Sequence, residues 1–340
     1  VAGERDGEMS AALATVAIVT HDSAVDLPAC LAAVGRQTLS PIELVIADCA
    51  SADESVAVAR RHSPAGIAVR VLELGENLGF AGGMNAAFAA TRAPYFLTLN
   101  PDATLAPDYL ERLVTRVERS RAARPGAATG RLLRAGDPPV LDACGMYLFW
   151  TWRHLDRGAG RRDRGQHARP ARVFGATGAA SLWVRAAAGD AAVAPGDLFD
   201  SRFHTFREDA ELSMRLQERG WSVLYEPAAV AHHRRSALPG RRWSLPALAN
   251  ANSLRNRYLL RADHQSLANL LWTLPATLWR DAAALAWVLA AERSSLAAYA
   301  WLWRHRGEIL AHRRRVRGRV LRPIDRWFLR REEPLPEDSP

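Results

Sequence analysis

The sequence predicts an α/β fold, a Rossmann-like and mainly parallel sheet flanked by helices, with a helical C-terminal region behind it. Three observations carry that prediction. Short apolar runs rich in β-branched residues alternate with segments whose apolar positions recur at helical spacing. Such alternation favours parallel strands covered by helices on both faces. The 340 residues are 49% apolar, enough to fill the core of one large α/β domain plus an appendage.

The first run, TVAIVT from Thr15 to Thr20, reads as a strand, and AVDLPACLAAVGRQ behind it as a helix closed at Gln37 and Thr38. The unit repeats. IELVIAD is a strand and ESVAVARRH a helix; VRVLEL is a strand and AGGMNAAFAATR a helix; YFLTL is a strand and PDYLERLVTRVERSR a helix opened by Pro107. After Arg124 the rhythm weakens, and residues 135–172, rich in Gly, Pro, Arg and Asp, read as a long mobile excursion. VFGATGAASLWVRAAA returns to a strand pattern. Glu208 and Asp209 then open a helix running through Leu212 and Leu216 to a stop at Gly220. SVLYEP is a further strand, and the His pair in AVAHHRRS reads from spacing alone as an exposed loop or as metal ligands. The expected layout is a flexible tail over 1–14, an α/β domain over 15–236 and a helical, basic, Trp-rich region over 237–340.

Open α/β sheets bind ligands outside the carboxyl ends of their strands. Three of these runs end there on acids: VTHD at Asp22, VIAD at Asp48 and LNPD at Asp102. A lone Asp in such a place is explained as a turn or N-cap residue. Three at one edge repel one another unless a cation or hydrogen-bond donors offset them, which points to a functional cluster. GENLGFAGGMNAA adds Gly79, Gly82 and Gly83 at a helix start, either a plain turn or a place where the backbone approaches a ligand and the first amides receive a phosphate. It lacks the G-x-G-x-x-G spacing, which argues against a nicotinamide dinucleotide.

Lys+Arg 45 against Asp+Glu 36 gives a net charge of +9, suited to an anionic partner such as a nucleotide, a phospholipid or nucleic acid. Cys30, Cys49 and Cys144 are odd in number and lack C-x-x-C spacing, so neither a disulfide framework nor a zinc site is expected, and a reducing cytoplasm is. The polar start, VAGERDGEMS, and the short run behind it suggest no signal peptide. In the last hundred or so of the 340 residues, Trp243, Trp272, Trp279, Trp287, Trp301, Trp303 and Trp327 are interspersed with arginines. LANLLWTLPATLW and AAALAWVLAA are each too short to span a bilayer and are separated by Arg280 and Asp281. This composition fits helices lying on an anionic membrane surface, or an ordinary appendage packed on the domain or on a second subunit.

In order along the chain, VAIVTHDS, ELVIADCASAD, NLGFAGGMNAA, LNPDATLAPDYLERL, ATGAASLWVR, FDSRFHTFREDAELSMRLQERGW and EPAAVAHHRRS resemble the glycosyltransferase family 2 enzymes of GT-A fold. Within that family the pattern is similar to the rhamnosyltransferase-like branch of bacterial cell-surface polysaccharide synthesis. The resemblance implies an inverting, metal-dependent transfer of a sugar, rhamnose by the branch, from a dTDP- or UDP-sugar to a hydroxyl of a glycan or lipid-linked acceptor. It implies a cytoplasmic protein of cell-wall polysaccharide biosynthesis, free or peripheral on the inner face of the cell membrane. Thr20, Asp22, Asp48, Ser51 and Asp53 would hold the base and ribose, and Asn77, Gly79, Gly82, Gly83, Asn85 and Asn100 would line the donor pocket. Asp102 would tie Mg²⁺ or Mn²⁺ to the diphosphate, with His233, or His232 one register away, completing the metal site. Asp209 matches the catalytic base and Glu208 its neighbour at the acceptor. Asn100 stands at the first acid of the family's metal-binding DxD, and Asp22 and Cys49 stand where the family usually has Asn. A nucleotide-sugar-binding homologue without catalysis would keep the sheet-edge acids and need no base. A nucleic-acid-binding protein would account for the charge, but no recognised motif for that role appears.

Overall fold

The computed structural model of the chain describes residues 12–134, 139–235, 246–328, 330 and 332–335. Strand and helix alternate as the sequence predicts through β1 (Ala14–Thr20), α1 (Leu27–Val34), β2 (Ile42–Asp48), α2 (Ser55–Arg61), β3 (Ala68–Glu73), α3 (Gly79–Ala89), β4 (Tyr95–Leu99), β5 (Ala103–Leu105) and α4 (Tyr109–Arg119). The α/β part continues with β6 (Pro125–Arg134), β7 (Leu141–Ala143), β8 (Met146–Leu148), β9 (His154–Asp156), β10 (Ala171–Val173), β11 (Ala180–Val184), α5 (Arg185–Ala191), α6 (Glu208–Glu218) and β12 (Ser222–His233). Behind it come α7 (Ala247–His264), α8 (Leu267–Ala291), α9 (Leu296–Arg304), α10 (Arg306–Arg317) and a short β13 (Glu333–Pro334).

The central sheet has the order β13-β10-β12-β6-β11-β4-β1-β2-β3, with β5 on β12 and β7 on β6. β4, β1, β2 and β3 are mutually parallel, as expected, with Thr20 opposite Asp48. Antiparallel β11 then separates β4 from β6, and β12 runs parallel to β6. Every residue of β1 is buried because both faces are covered. Val16 and Ile18 join the cluster holding Leu27 and Leu31 of α1 and Leu113 of α4, whereas Ala17 and Val19 join Met84 and Phe88 of α3. That is the period-2 alternation of a strand expressed as two cores.

The mobile excursion expected over 135–172 is not what the described residues 139–172 form. β7 extends the sheet, β8 and β9 make a hairpin, and Trp152 and Arg157 inside it are fully buried. The composition misleads because its charges are paired internally: Arg157 lies over the Tyr225 ring and donates to the Cys144 carbonyl at 2.9 Å, and Arg131 meets Asp163 at 3.1 Å. Arginines with such partners belong to a folded insert. All three cysteines are buried free thiols.

The C-terminal helices share a core with the α/β part. Leu259, Leu260, Ile309, Ile324, Trp327 and Phe328 pack with Trp152, Phe174, Phe203 and Met214. His264 of α7 is fully buried between Glu211 (3.5 Å) and Glu218 (2.8 Å) of α6. Burial alone would lower its pKa, but the two carboxylates prevail and hold it at about 10, so the imidazole is charged and pins α7 to α6. β13 pairs with β10, returning the chain to the sheet. The expected 236/237 boundary and Trp243 fall within 236–245, outside the described residues, as do residues 1–11 of the expected tail. Among the described residues, no helix is long and apolar enough to cross a membrane.

Candidate active site

β4, β1 and β2 are neighbours, so Asp102, Asp22 and Asp48 gather at the carboxyl edge of the parallel strands. Each carboxylate there is offset. Asp48, almost fully buried, accepts from the Thr20 hydroxyl (2.8 Å), the Ser51 hydroxyl (2.5 Å) and the Ser51 amide (3.0 Å). Asp22 accepts from the amides of Ala52 and Asp53, its own amide donates to Ser51, and its φ of 52° lies in the left-handed region where Asp is tolerated. Asp53 accepts from the Ala24 amide. Thr20, Asp22, Asp48, Ser51 and Asp53 therefore form one interlocked rim, and the signal for it was the three strand-end acids.

Asp102 meets a different partner. Pairing of β5 with β12 sets Ala103 opposite His233, and His233 Nε2 lies 3.1 Å from Asp102 Oδ1. The alternation of β12 turns His233 inward and His232 outward, which decides between the two registers and removes the exposed-loop reading. Asn100 approaches the same His233 nitrogen at 3.4 Å. On the other side of the ring, His233 Nδ1 is 2.8 Å from Asp142, which Arg235 bridges to Asp156 at 2.8 and 2.7 Å. Burial opposes charge on His233, yet Asp102 and Asp142 outweigh it and lift the imidazole to about 9. With Asp142 fixing one ring nitrogen, Asp102 and the other nitrogen of His233 would offer one oxygen and one nitrogen to a cation, a donor pair compatible with Mg²⁺ or Mn²⁺. Asp142, Arg235 and Asp156 escaped the sequence reading. Only the proximity of Arg235 to the His pair hinted at them. Asp142→Asn should weaken Mn²⁺ affinity by roughly 10–100-fold, the usual effect of removing a carboxylate behind a ligating His. Titration with Mn²⁺ would measure it, and unchanged affinity would break the link.

Asp209 sits at the start of α6, where Oδ2 accepts from the Gly178 amide at 2.8 Å and Oδ1 from the Ala210 amide at 2.7 Å. Gly178 directly precedes Ala179, whose carbonyl receives the Asn100 amide at 2.8 Å. Asp209 and the Asn100–Asp102 loop are thus tied through two consecutive residues at the head of β11. Burial raises the Asp209 carboxyl to about 6 despite those two amides, with Asp156 adding to the rise. Glu208 beside it is buried, its Oε2 has no hydrogen-bond partner, and burial with the Asp209 charge pushes it well above the usual range. The pair prefers to share a single charge.

The loop in front of these acids is strained. His204, Phe206 and Arg207 have φ of 58°, 69° and 76°, left-handed values that cost non-glycine residues on the order of 1–3 kcal/mol each. Fully buried Asn256 of α7 offsets this: its amide nitrogen lies 2.7, 2.9 and 2.8 Å from the carbonyls of Phe203, Thr205 and Phe206. Asn256→Ala would strand those carbonyls, costing about 1–3 kcal/mol for buried groups left unpaired, and would free the loop. We expect kcat to fall about 100-fold, the scale for displacing a catalytic group by an ångström, with donor affinity little changed. Turnover, nucleotide titration and a melting curve would separate that outcome from plain unfolding.

The glycine segment divides. Gly79 opens α3 at φ +68°, its amide donates to Asn77, and an added Cβ would come within 2.5 Å of His204. Gly83 faces the sheet, where a Cβ would meet Val19 and Cys49 within 3.1 Å. Gly82 lies against Leu78 one turn back. Asn85, expected in the donor pocket, is buried with its amide bonded to Leu198, Phe199 and Ser201, so it fastens the 198–201 segment from beneath. Elsewhere, Asp200, Asp263 and His312 approach one another closely enough for a metal, but the Arg202 guanidinium already bonds all three.

Comparison with known proteins bears on the family and the fold. Residues 15–131 match the family described as glycosyl transferase family 2. The chain is 29% identical over 276 residues to an N-acetylglucosaminyl-diphospho-decaprenol L-rhamnosyltransferase of Mycobacterium tuberculosis, an alignment spanning 74% of this chain and 84% of the relative. Among solved structures, the mannosyltransferase PcManGT from Pyrobaculum calidifontis with GDP-Man and Mn²⁺ superposes with a TM-score of 0.53 at 17% identity, over 91% of this chain and 87% of that one. GalNAc-T7 with UDP, GalNAc and Mn²⁺ gives 0.55 at 15% identity over 76% of this chain, which spans only 49% of that protein. Residues 15–131 thus match glycosyl transferase family 2, and the mixed sheet is arranged as in the GT-A glycosyltransferases.

Proposed function

We propose that the chain is an inverting glycosyltransferase that moves a sugar, rhamnose first among candidates, from a dTDP- or UDP-sugar to a hydroxyl of a glycan or lipid-linked acceptor. The observation that supports this reading is the two-residue link between Asp209 and the Asn100–Asp102 loop at one sheet edge. The rim of Thr20, Asp22, Asp48, Ser51 and Asp53 would receive the base and ribose, and Asn77 and Gly79 would border the donor. Asp102 and His233 would hold Mg²⁺ or Mn²⁺, which when bound neutralises charge on the departing diphosphate. Asp209 would take the proton from the acceptor hydroxyl as it attacks the anomeric carbon, and Glu208, kept neutral, would leave Asp209 as the ionised member of the pair.

The mycobacterial relative is named for a decaprenol-diphosphate-linked acceptor. A comparable acceptor here would place a cytoplasmic chain on the inner face of the membrane, in cell-wall polysaccharide synthesis. Calorimetric titration of dTDP and UDP, with and without Mn²⁺, tests the donor half of the reading. Metal-dependent binding of one nucleotide supports it; a folded protein that binds neither overturns it.

A further inference from the structure

α8 is built inside out. Its inward stripe is polar: Asn269, Thr273 and Thr277 are buried at four-residue spacing, with the Thr273 hydroxyl donating to the Asn269 carbonyl and the Thr277 hydroxyl to that of Thr273. Both charges of the helix also turn inward, Asp281 to Arg257 and Arg261, and Arg280 to the Thr151 carbonyl. Its outward side presents Leu267, Leu271, Leu278, Trp279, Leu285 and Leu289, all 42–75% exposed. A surface helix in water has the opposite arrangement. Scattered exposed leucines are ordinary, whereas a continuous row marks an interaction surface.

The row extends across the α/β part. Trp272 stacks on Trp150 with centroids 6.2 Å apart, and exposed Phe149 and Arg153 flank Trp150 in the β8–β9 turn. Against Trp272 also opens a cavity of about 460 Å³, lined by Arg322, Pro323, Asp325, Arg326 and Phe328. The patch therefore combines leucine and tryptophan with arginines at its border, and Asp325 is the one acid among the residues lining that cavity. A second copy docked on the same patch would bring arginine against arginine. An anionic lipid surface complements both halves. At 25 residues α8 is about 37 Å long, more than a bilayer core, yet no described helix is apolar enough to cross one, so α8 would lie in the plane.

We propose that the outer face of α8, with the Phe149–Trp150 tip, seats the chain on an anionic phospholipid surface, with Arg153 and Arg322 meeting lipid phosphates. The inference rests on the transferase reading only for its use, which is to bring a lipid-linked acceptor within reach. Flotation of the full chain with vesicles of phosphatidylcholine, with and without phosphatidylglycerol, tests it. Binding should require phosphatidylglycerol and weaken with salt. Leu278→Glu with Trp279→Glu, both at exposed positions, should lower the bound fraction tenfold or more, by about the scale of lost apolar burial. Arg322→Glu should lower it roughly five- to tenfold. Absence of flotation, equal flotation of the variants, or a solution dimer dissolved by Leu278→Glu in place of vesicle binding would each overturn it. Titration of dTDP and UDP into the same proteins reports on the transferase reading separately: variants that lose vesicles should keep the nucleotide.

Discussion

Asp209→Asn should lower kcat by about 10²–10⁴-fold, the usual contribution of a general base, and leave nucleotide affinity near that of the wild type. The substitution keeps size and shape but removes the carboxylate proposed as proton acceptor. It also gives one of the two amides, Gly178 or Ala210, an NH₂ group to face where it now has an oxygen. That loss costs stability by about 1–3 kcal/mol, so a melting curve must accompany the rate. The same carboxyl sets the pH dependence. Its pKa is raised to about 6 by burial, and only the deprotonated form accepts a proton, so kcat should rise with pH through about 6 and then level off. A variant with normal turnover, or a wild type whose rate is flat from pH 5 to 8, a range spanning that value, would remove Asp209 from the base role.

Metal-dependent binding of dTDP or UDP should disappear in Asp102→Ala. Two side chains, Asp102 and His233, would hold the cation, and a hard divalent ion that keeps several waters depends heavily on each carboxylate it has. Losing a ligand should exceed the roughly 10–100-fold expected for losing the supporting Asp142. Binding seen without Mn²⁺ should survive, because the rim around Asp48 is built from other residues. Wild-type affinity in the variant with Mn²⁺ would mean that the diphosphate is held elsewhere.

Local pattern made much of the fold legible. IELVIAD and YFLTL are strands to the residue, because short runs dominated by apolar, strand-favouring residues and bounded by polar turns mark their own ends. The strand-end acids located the edge of the site, since parallel topology brings consecutive strand ends together. What stayed hidden depends on partners far apart in sequence. Asp142 is 91 residues from His233 and Asn256 is 50 from Phe206. The arginine-rich insert looked solvated for the same reason, and Asn85 looked like a pocket residue because nothing local shows that its amide is already engaged. His233, placed ahead of His232 in the sequence analysis, is the one that the phase of β12 turns inward.

Asn256 and His264 lie two turns apart on α7 and hold opposite ends of α6, one through the strained loop at its start and one through Glu218 at its close. A chimaera joining the first 235 residues to a tail that lacks counterparts of Asn256 and His264 would inherit every acid of the edge and none of this grip. Its nucleotide recognition would survive the exchange while its speed would not. On the transferase reading, selection on the tail would then also be selection on turnover, and the two halves of such a chain would not trade as independent cassettes.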